Sequence, residues 1–218
     1  MKIHYCEQRS EDWYKARSGK FTASDFGKLM PSSRQGMNDW NKTQMDIIYR
    51  VAAERLTGQP VGSTYVSQAM QHGIDTEDTA RVAYEMETGN VIEQVGFIEY
   101  SEWIGCSPDG LGLSGPGLEI KCPDSDTHLR YMYCNEDLVE DYYWQCVGGM
   151  LCSGRKQWDL YSFDDRFRDP SKRSVLVPVE WNQADVDRLE KRLAAATAKA
   201  IAIIGEQKGA MNVGTSLW

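Results

Sequence analysis

Three residues have the types and spacing to cut a phosphodiester with a metal ion: Asp109, Glu119 ten positions later, and Lys121 after one apolar residue. Two carboxylates offer hard oxygen ligands to Mg²⁺, which keeps part of its water shell and takes further oxygens from a substrate phosphate. A lysine beside them puts a positive charge where water must become a nucleophile and where negative charge builds as phosphorus is attacked. Taken singly, Pro108-Asp109-Gly110 fits an ordinary surface turn and Glu119-Ile120-Lys121 a solvated strand face. The two segments at this separation favour the site.

Local structure must bring these groups together. Leu118-Glu119-Ile120-Lys121-Cys122 alternates apolar and charged residues, so as a strand it turns Glu119 and Lys121 to one face and the other three to the opposite face. Trp103 to Cys106 reads as a short strand, and Gly110, Gly112, Gly115, Pro116 and Gly117 supply a tight connection. A hairpin is expected to set Asp109 beside Glu119.

The flanking sequence is more helical. Residues 10–30 carry apolar residues at roughly helical spacing interrupted by Gly19, and Thr22-Ala23-Ser24-Asp25 reads as a helix start with a hydroxyl available as N-cap. Residues 31–41 are turn-formers throughout and read as a mobile loop carrying Arg34. Met45, Ile48, Ala52 and Leu56 then mark a helix face that stops at Gly58, and a longer helix covers 67–88. Strands are expected at 91–100, 103–106, 118–122, 156–163 and 174–179, with helices near 125–134 and 139–152 and a last one over 182–205. This pattern predicts an α/β or α+β fold, a mixed sheet wrapped by helices. The chain reads as one domain: a mainly helical part (1–89), a sheet core (90–180) and a C-terminal helix with its tail (181–218).

Composition excludes some classes. No run of about eighteen apolar residues occurs, and the start, Met1-Lys2-Ile3-His4-Tyr5, has no signal-peptide stretch, so a cytoplasmic protein without membrane contact is expected. Six scattered cysteines without a Cys-x-x-Cys pair argue against zinc or iron–sulfur centres and for buried reduced thiols. The net charge of −8 is unevenly spread. Residues 75–141 hold sixteen acidic residues against Arg81, Lys121 and Arg130, whereas 15–34 hold Lys15, Arg17, Lys20, Lys28 and Arg34 against Asp25 alone. Screening confines exposed charge to about 8 Å at physiological salt, so a cleft lined by the basic segment is compatible with DNA on an acidic protein.

The chain resembles the phage lambda exonuclease family, the YqaJ-like viral recombinases of the PD-(D/E)xK nuclease superfamily. The landmarks are Trp13-Tyr14-Lys15-Ala16-Arg17-Ser18-Gly19, Phe21-Thr22-Ala23-Ser24, His72-Gly73-Ile74-Asp75-Thr76-Glu77, Cys106-Ser107-Pro108-Asp109-Gly110, Leu118 to Pro123, and Trp144-Gln145-Cys146. The resemblance implies a restriction-endonuclease-like core with a central mixed sheet flanked by helices. It also implies a processive 5′-to-3′ exonuclease on double-stranded DNA ends, releasing mononucleotides and leaving 3′ overhangs for a single-strand annealing protein. Carried over by motif, Asp109, Glu119 and the Ile120 carbonyl bind Mg²⁺, with Mn²⁺ as the alternative, and Lys121 activates water. Glu77 serves a second ion, and Gln145 supports the site. Arg17, Ser24 and Ser107 match a 5′-phosphate pocket, and Arg34 a loop arginine at the duplex end. The family further implies a ring-shaped homotrimer in a phage or prophage host cytoplasm. Without the resemblance, Glu77 and Gln145 fit exposed helix faces equally well, and Arg17 a solvated arginine. An endonuclease of restriction or repair type, or a non-catalytic DNA-binding module, remain the alternatives on this fold.

Overall fold

The computed structural model describes residues 1–61, 67–113 and 115–210, with side chains at 69, 70 and 206–210 left aside. The expected tail beyond residue 210 lies outside the described residues. The element order is β1 (Lys2–His4), α1 (Glu11–Arg17), β2 (Phe21–Thr22), α2 (Ala23–Leu29), α3 (Lys42–Thr57), α4 (Gln68–Thr88), β3 (Ile92–Glu93), β4 (Phe97–Glu99), β5 (Ile104–Cys106), β6 (Gly110–Gly112), β7 (Gly117–Lys121), α5 (Ser125–Tyr133), α6 (Asn135–Ser153), β8 (Gln157–Phe163), β9 (Ser174–Glu180) and α7 (Gln183–Ala210). The expected α+β class holds, with the strands in two mixed sheets rather than one. One runs β1-β4-β5-β2 and the other β3-β6-β7-β8-β9.

Two short crossovers join these sheets, and they explain where the strand assignment of the sequence was too coarse. The single strand expected over 91–100 divides into β3 and β4, which belong to different sheets. Between them Gly96 donates its N–H to His4 O and lies so close to Cys6 that a Cβ would come within 2.3 Å of the Cys6 carbonyl. The chain returns through Ser107-Pro108-Asp109, between β5 and β6. The hairpin beside Glu119 is therefore β6–β7, with Leu111 opposite Gly117, and β5 pairs instead with β4 and β2. Glycine-rich β6 carried the signature of a turn, which hid it as a strand.

β7 lies inside its sheet, parallel to β8 with Glu119 opposite Leu160. Its alternation works as expected. Leu118 and Ile120 pack with Ala80 and Tyr84 of α4 and with Tyr161 and Phe163, while Glu119 meets α6. Gly149 lets α6 approach β8, since a Cβ there would sit 2.6 Å from the Trp158 ring. The main core gathers α2, α3, α6 and α7, including the Val186, Leu189, Leu193, Ala196 and Ala200 stripe.

Other local expectations shift. Asn41 and Gln44 form a capping box at the start of α3 and Gly58 ends it in the left-handed conformation, but the buried face is Ile47, Ile48, Val51 and Ala52 while Leu56 is exposed. Thr22 is the N-cap residue of α2 without a side-chain capping bond. The 31–41 loop has internal anchors: Arg192, fully buried on α7, donates to Leu29 O at 2.6 Å, to Met37 O and to Asp39 O at 3.0 Å, and its guanidinium stacks on Trp40. All six cysteines are free thiols, but only Cys106, Cys146 and Cys152 are buried. Among the described residues no helix is long and apolar enough to cross a membrane.

Candidate active site

The second crossover places Asp109 at the mouth of the β6–β7 hairpin. Its N–H donates to Leu118 O at 3.1 Å, and its Oδ2 accepts from the Ile120 N–H at 2.6 Å, which aims the carboxylate at the end of β7. Glu119 is 4% exposed; its Oε1 accepts from Lys121 Nζ at 2.6 Å and from Gln145 Nε2 at 2.5 Å. Lys121 Nζ also donates to Gln145 Oε1 at 3.4 Å and lies 4.6 Å from the Tyr142 ring centroid. Gln145 is thus no exposed helix residue but the α6 contact of the Glu119–Lys121 pair. Glu77 comes from α4: Arg81 donates to its Oε1 at 3.0 Å and, through Nε, to Asp109 O at 3.0 Å.

Electrostatics bind this group into one unit. Burial, then the charges of Glu119 and Glu77, hold the Asp109 carboxyl well above the usual carboxylate range. Glu119 is also raised, because burial outweighs the help of Lys121. Lys121 is raised too: burial disfavours its charged form, but Glu119 and Asp109 together win. Glu77 is already paired with Arg81, so the uncompensated charge lies in the buried set, where Asp109 and Glu119 face Lys121 alone and a cation relieves the excess. The donors are all hard oxygens, so the set fits Mg²⁺ or Mn²⁺ rather than a thiolate-seeking metal.

The second predicted cluster is held together by Trp13 and Thr22. The Arg17 guanidinium lies 4.3 Å from the Trp13 ring centroid, and Trp13 Nε1 donates to Ser107 Oγ at 2.9 Å and to Gly96 O at 3.0 Å. Arg17 also donates to Thr22 Oγ1 at 3.3 Å, which in turn lies 3.3 Å from Ser24 Oγ. Arg17, Ser24 and Ser107 are therefore linked through Trp13 and Thr22, and Ser107 precedes Asp109 by two residues. Burial lowers the Arg17 pKa, yet a guanidinium stays charged at any ordinary pH. Arg34 is exposed in its loop and has no ion pair among the described residues.

Comparison with protein families matches the YqaJ-like viral recombinase domain over residues 12–156. The chain belongs to this family. Among solved structures, the YqaJ-like chain is similar to an alkaline exonuclease, LHK-Exo, from Laribacter hongkongensis, at 30% identity and a TM-score of 0.82, covering 93% of this chain and 98% of that one. The same exonuclease in complex with dAMP gives the same values. A phage related exonuclease from Haemophilus somnus 129PT shares the fold at 17% identity and a TM-score of 0.72, over 86% of this chain and 96% of that one. A search of curated proteins returned no match.

Trp13, Thr22 and Arg81 of this YqaJ-like domain, and Arg9 ahead of its matched span, touch the expected site residues without being among them. The clue available for Trp13 and Thr22 was that they stand inside the same landmarks as Arg17 and Ser24. Among the described residues the acidic group whose potential ligand atoms all lie within 4.8 Å of one another is a different one, His72, Asp164 and Asp165; the carboxylates of Asp109, Glu119 and Glu77 are not drawn that close together. Its Asp164 carboxylate already accepts from Arg166 and from Ser125, so a cation there must compete with a guanidinium. Its residues are distinct from Asp109, Glu119 and Glu77.

Proposed function

We propose that the chain is a divalent-metal-dependent, processive 5′-to-3′ exonuclease that acts on double-stranded DNA ends. It releases 5′-mononucleotides and leaves 3′ overhangs for a single-strand annealing protein. The observation that carries this reading is the joining of the Asp109–Glu119–Lys121 group to the Arg17–Ser107 cluster through one three-residue crossover. The relation to an exonuclease that holds dAMP supports a deoxynucleoside monophosphate as the released unit.

Asp109, Glu119, Glu77 and the Ile120 carbonyl would hold up to two Mg²⁺ ions, Mn²⁺ serving the same donors. Bound there, the metal supplies positive charge to the attacked phosphate and to the leaving oxygen. Lys121, paired with Glu119 and Gln145, orients the attacking water. Its charge counts most where negative charge develops, so it serves turnover more than binding. Arg17 binds the 5′-phosphate as a fork, with Ser24 and Ser107 completing the oxygen contacts. A terminal phosphate carries more charge than an internal diester, so this pocket favours the freshly cut end and sets direction. Arg34 contacts the duplex end, and three copies form a ring around the DNA in the host cytoplasm.

The test is a linear duplex labelled at either end, with and without a 5′-phosphate, with Mg²⁺ or EDTA, beside a covalently closed circle. Mononucleotides released from 5′-phosphorylated ends only with Mg²⁺, and an intact circle, are expected. A cut circle instead identifies an endonuclease, and cleavage in EDTA removes the metal site. Light scattering reads the assembly, expected at three times the 24.7 kDa chain mass.

A further inference from the structure

Arg9 is the only non-glycine residue with positive φ among the described residues, at +68°. Such a conformation is costly for a residue with a Cβ and persists only where the surroundings impose it. Both neighbours are held: Gln8 Nε2 donates to Pro108 O at 2.8 Å, and Ser10 caps α1 by accepting from the Trp13 N–H. The result is that the Arg9 guanidinium reaches Glu77 Oε2 at 2.9 Å. The two arginines on Glu77 differ. Arg81 is 10% exposed and is also bound to Asp109 O and Asp78, whereas Arg9 is 42% exposed and, among the described residues, has Glu77 as its one partner.

We infer that Arg9 is an exchangeable counter-charge: it neutralises Glu77 in the metal-free protein and passes to a phosphate of bound DNA when a divalent cation takes over that carboxylate. This rests on the metal-dependent reading above. A divalent cation held by Glu77 would repel a guanidinium on the same carboxylate. Arg9 is the partner with solvent access and no second anchor, so it is the one to leave. Set free at the rim of the site, its fork suits a phosphate. Arg81 stays in place and keeps Glu77 aimed at the centre.

Arg9→Gly removes the guanidinium while a glycine takes the same backbone conformation without strain. Calorimetric Mg²⁺ titration without DNA is expected to show binding about two- to fivefold tighter than in wild type, the range of an exposed ion pair. For duplex binding, the slope of log affinity against log salt is expected to shrink by about 0.9 with Ca²⁺ present to keep the DNA uncut, and to stay unchanged in EDTA. Arg9→Lys, which keeps the charge, restores the slope in Ca²⁺. Unchanged Mg²⁺ affinity overturns the exchange. So does a slope that shrinks equally in EDTA, which makes Arg9 a fixed phosphate contact. Wild-type protein that binds no divalent cation sinks the metal-dependent reading itself, a result distinct from wild-type binding with an indifferent Arg9→Gly.

Discussion

At Asp109 the cost of building the site falls on one carboxylate, buried beside Glu119 and Glu77 and raised for that reason. A group that holds its proton more tightly in the folded than in the unfolded state stabilises the fold at low pH, and that stability is lost as pH rises through the folded pKa. Glu119 is raised as well. In EDTA, the melting temperature is therefore expected to fall as pH climbs from the ordinary carboxylate range toward neutrality, and Mg²⁺ is expected to flatten the fall. Asp109→Asn keeps the shape without the charge. Calorimetry across pH in EDTA should show it melting above wild type near neutrality with a shallower pH dependence, while cleavage drops about 10³-fold or more. A wild-type profile in EDTA as flat as the variant's would mean that the carboxylates are not crowded. The residue types, their spacing and the strand that aims two of them were legible because they are local in the chain. Arg81 and Arg9 were not, because their service to Glu77 comes from helix register and from an unusual backbone angle that no spacing announces.

Elements explain why distant landmarks act together. The segment Gln8–Trp13 ties down both sheet crossovers: Gln8 donates to Val95 O and Pro108 O, and Trp13 to Gly96 O and Ser107 Oγ. These contacts span 83 to 100 residues, so periodicity could mark the strands but not where the chain changes sheet. The helices were easier, since caps and apolar stripes lie within a few residues; α3 still rotated its buried face away from Leu56 because packing on α2 and α7 decides it. Trp13→Phe keeps a ring under Arg17 and deletes the shared donor. Leaving Gly96 O and Ser107 Oγ without it should cost about 1–3 kcal/mol in denaturant unfolding, and the preference for 5′-phosphorylated ends should fall with it. Arg192 makes the matching case for the 31–41 loop. Its replacement by methionine strips the loop carbonyls of their donor, and leaving buried acceptors unpaired costs about 1–3 kcal/mol. Trypsin should then cut after Arg34 several times faster than in wild type, and an unchanged cleavage rate would show that the loop does not depend on α7.

Over the whole molecule the question is how a chain of net charge −8 holds a polyanion. The sequence locates a basic segment at 15–34, and the structure shows that part of its charge is already used. Lys15 pairs with Glu11 at 2.7 Å and with Asp12, Lys20 lies 3.9 Å from Glu99 and donates to Glu102 O, and Arg17 rests on Trp13. Lys28 and Arg34 are exposed and without an ion pair among the described residues. Each cation that neutralises a phosphate releases counterions and adds about 0.9 to the slope of log affinity against log salt. Uncommitted cations do this at no internal cost, whereas a paired lysine must first give up its carboxylate. The double variant Lys28→Ala/Arg34→Ala is therefore expected to lower the slope for a linear duplex by about 1.8 with an unchanged melting temperature, since exposed unpaired charges contribute little to the fold. Lys15→Ala should leave the slope near that of wild type. If instead Lys15→Ala lowers it as much as the double variant does, DNA recruits the whole segment, and the pairing on α1 opens to meet the backbone.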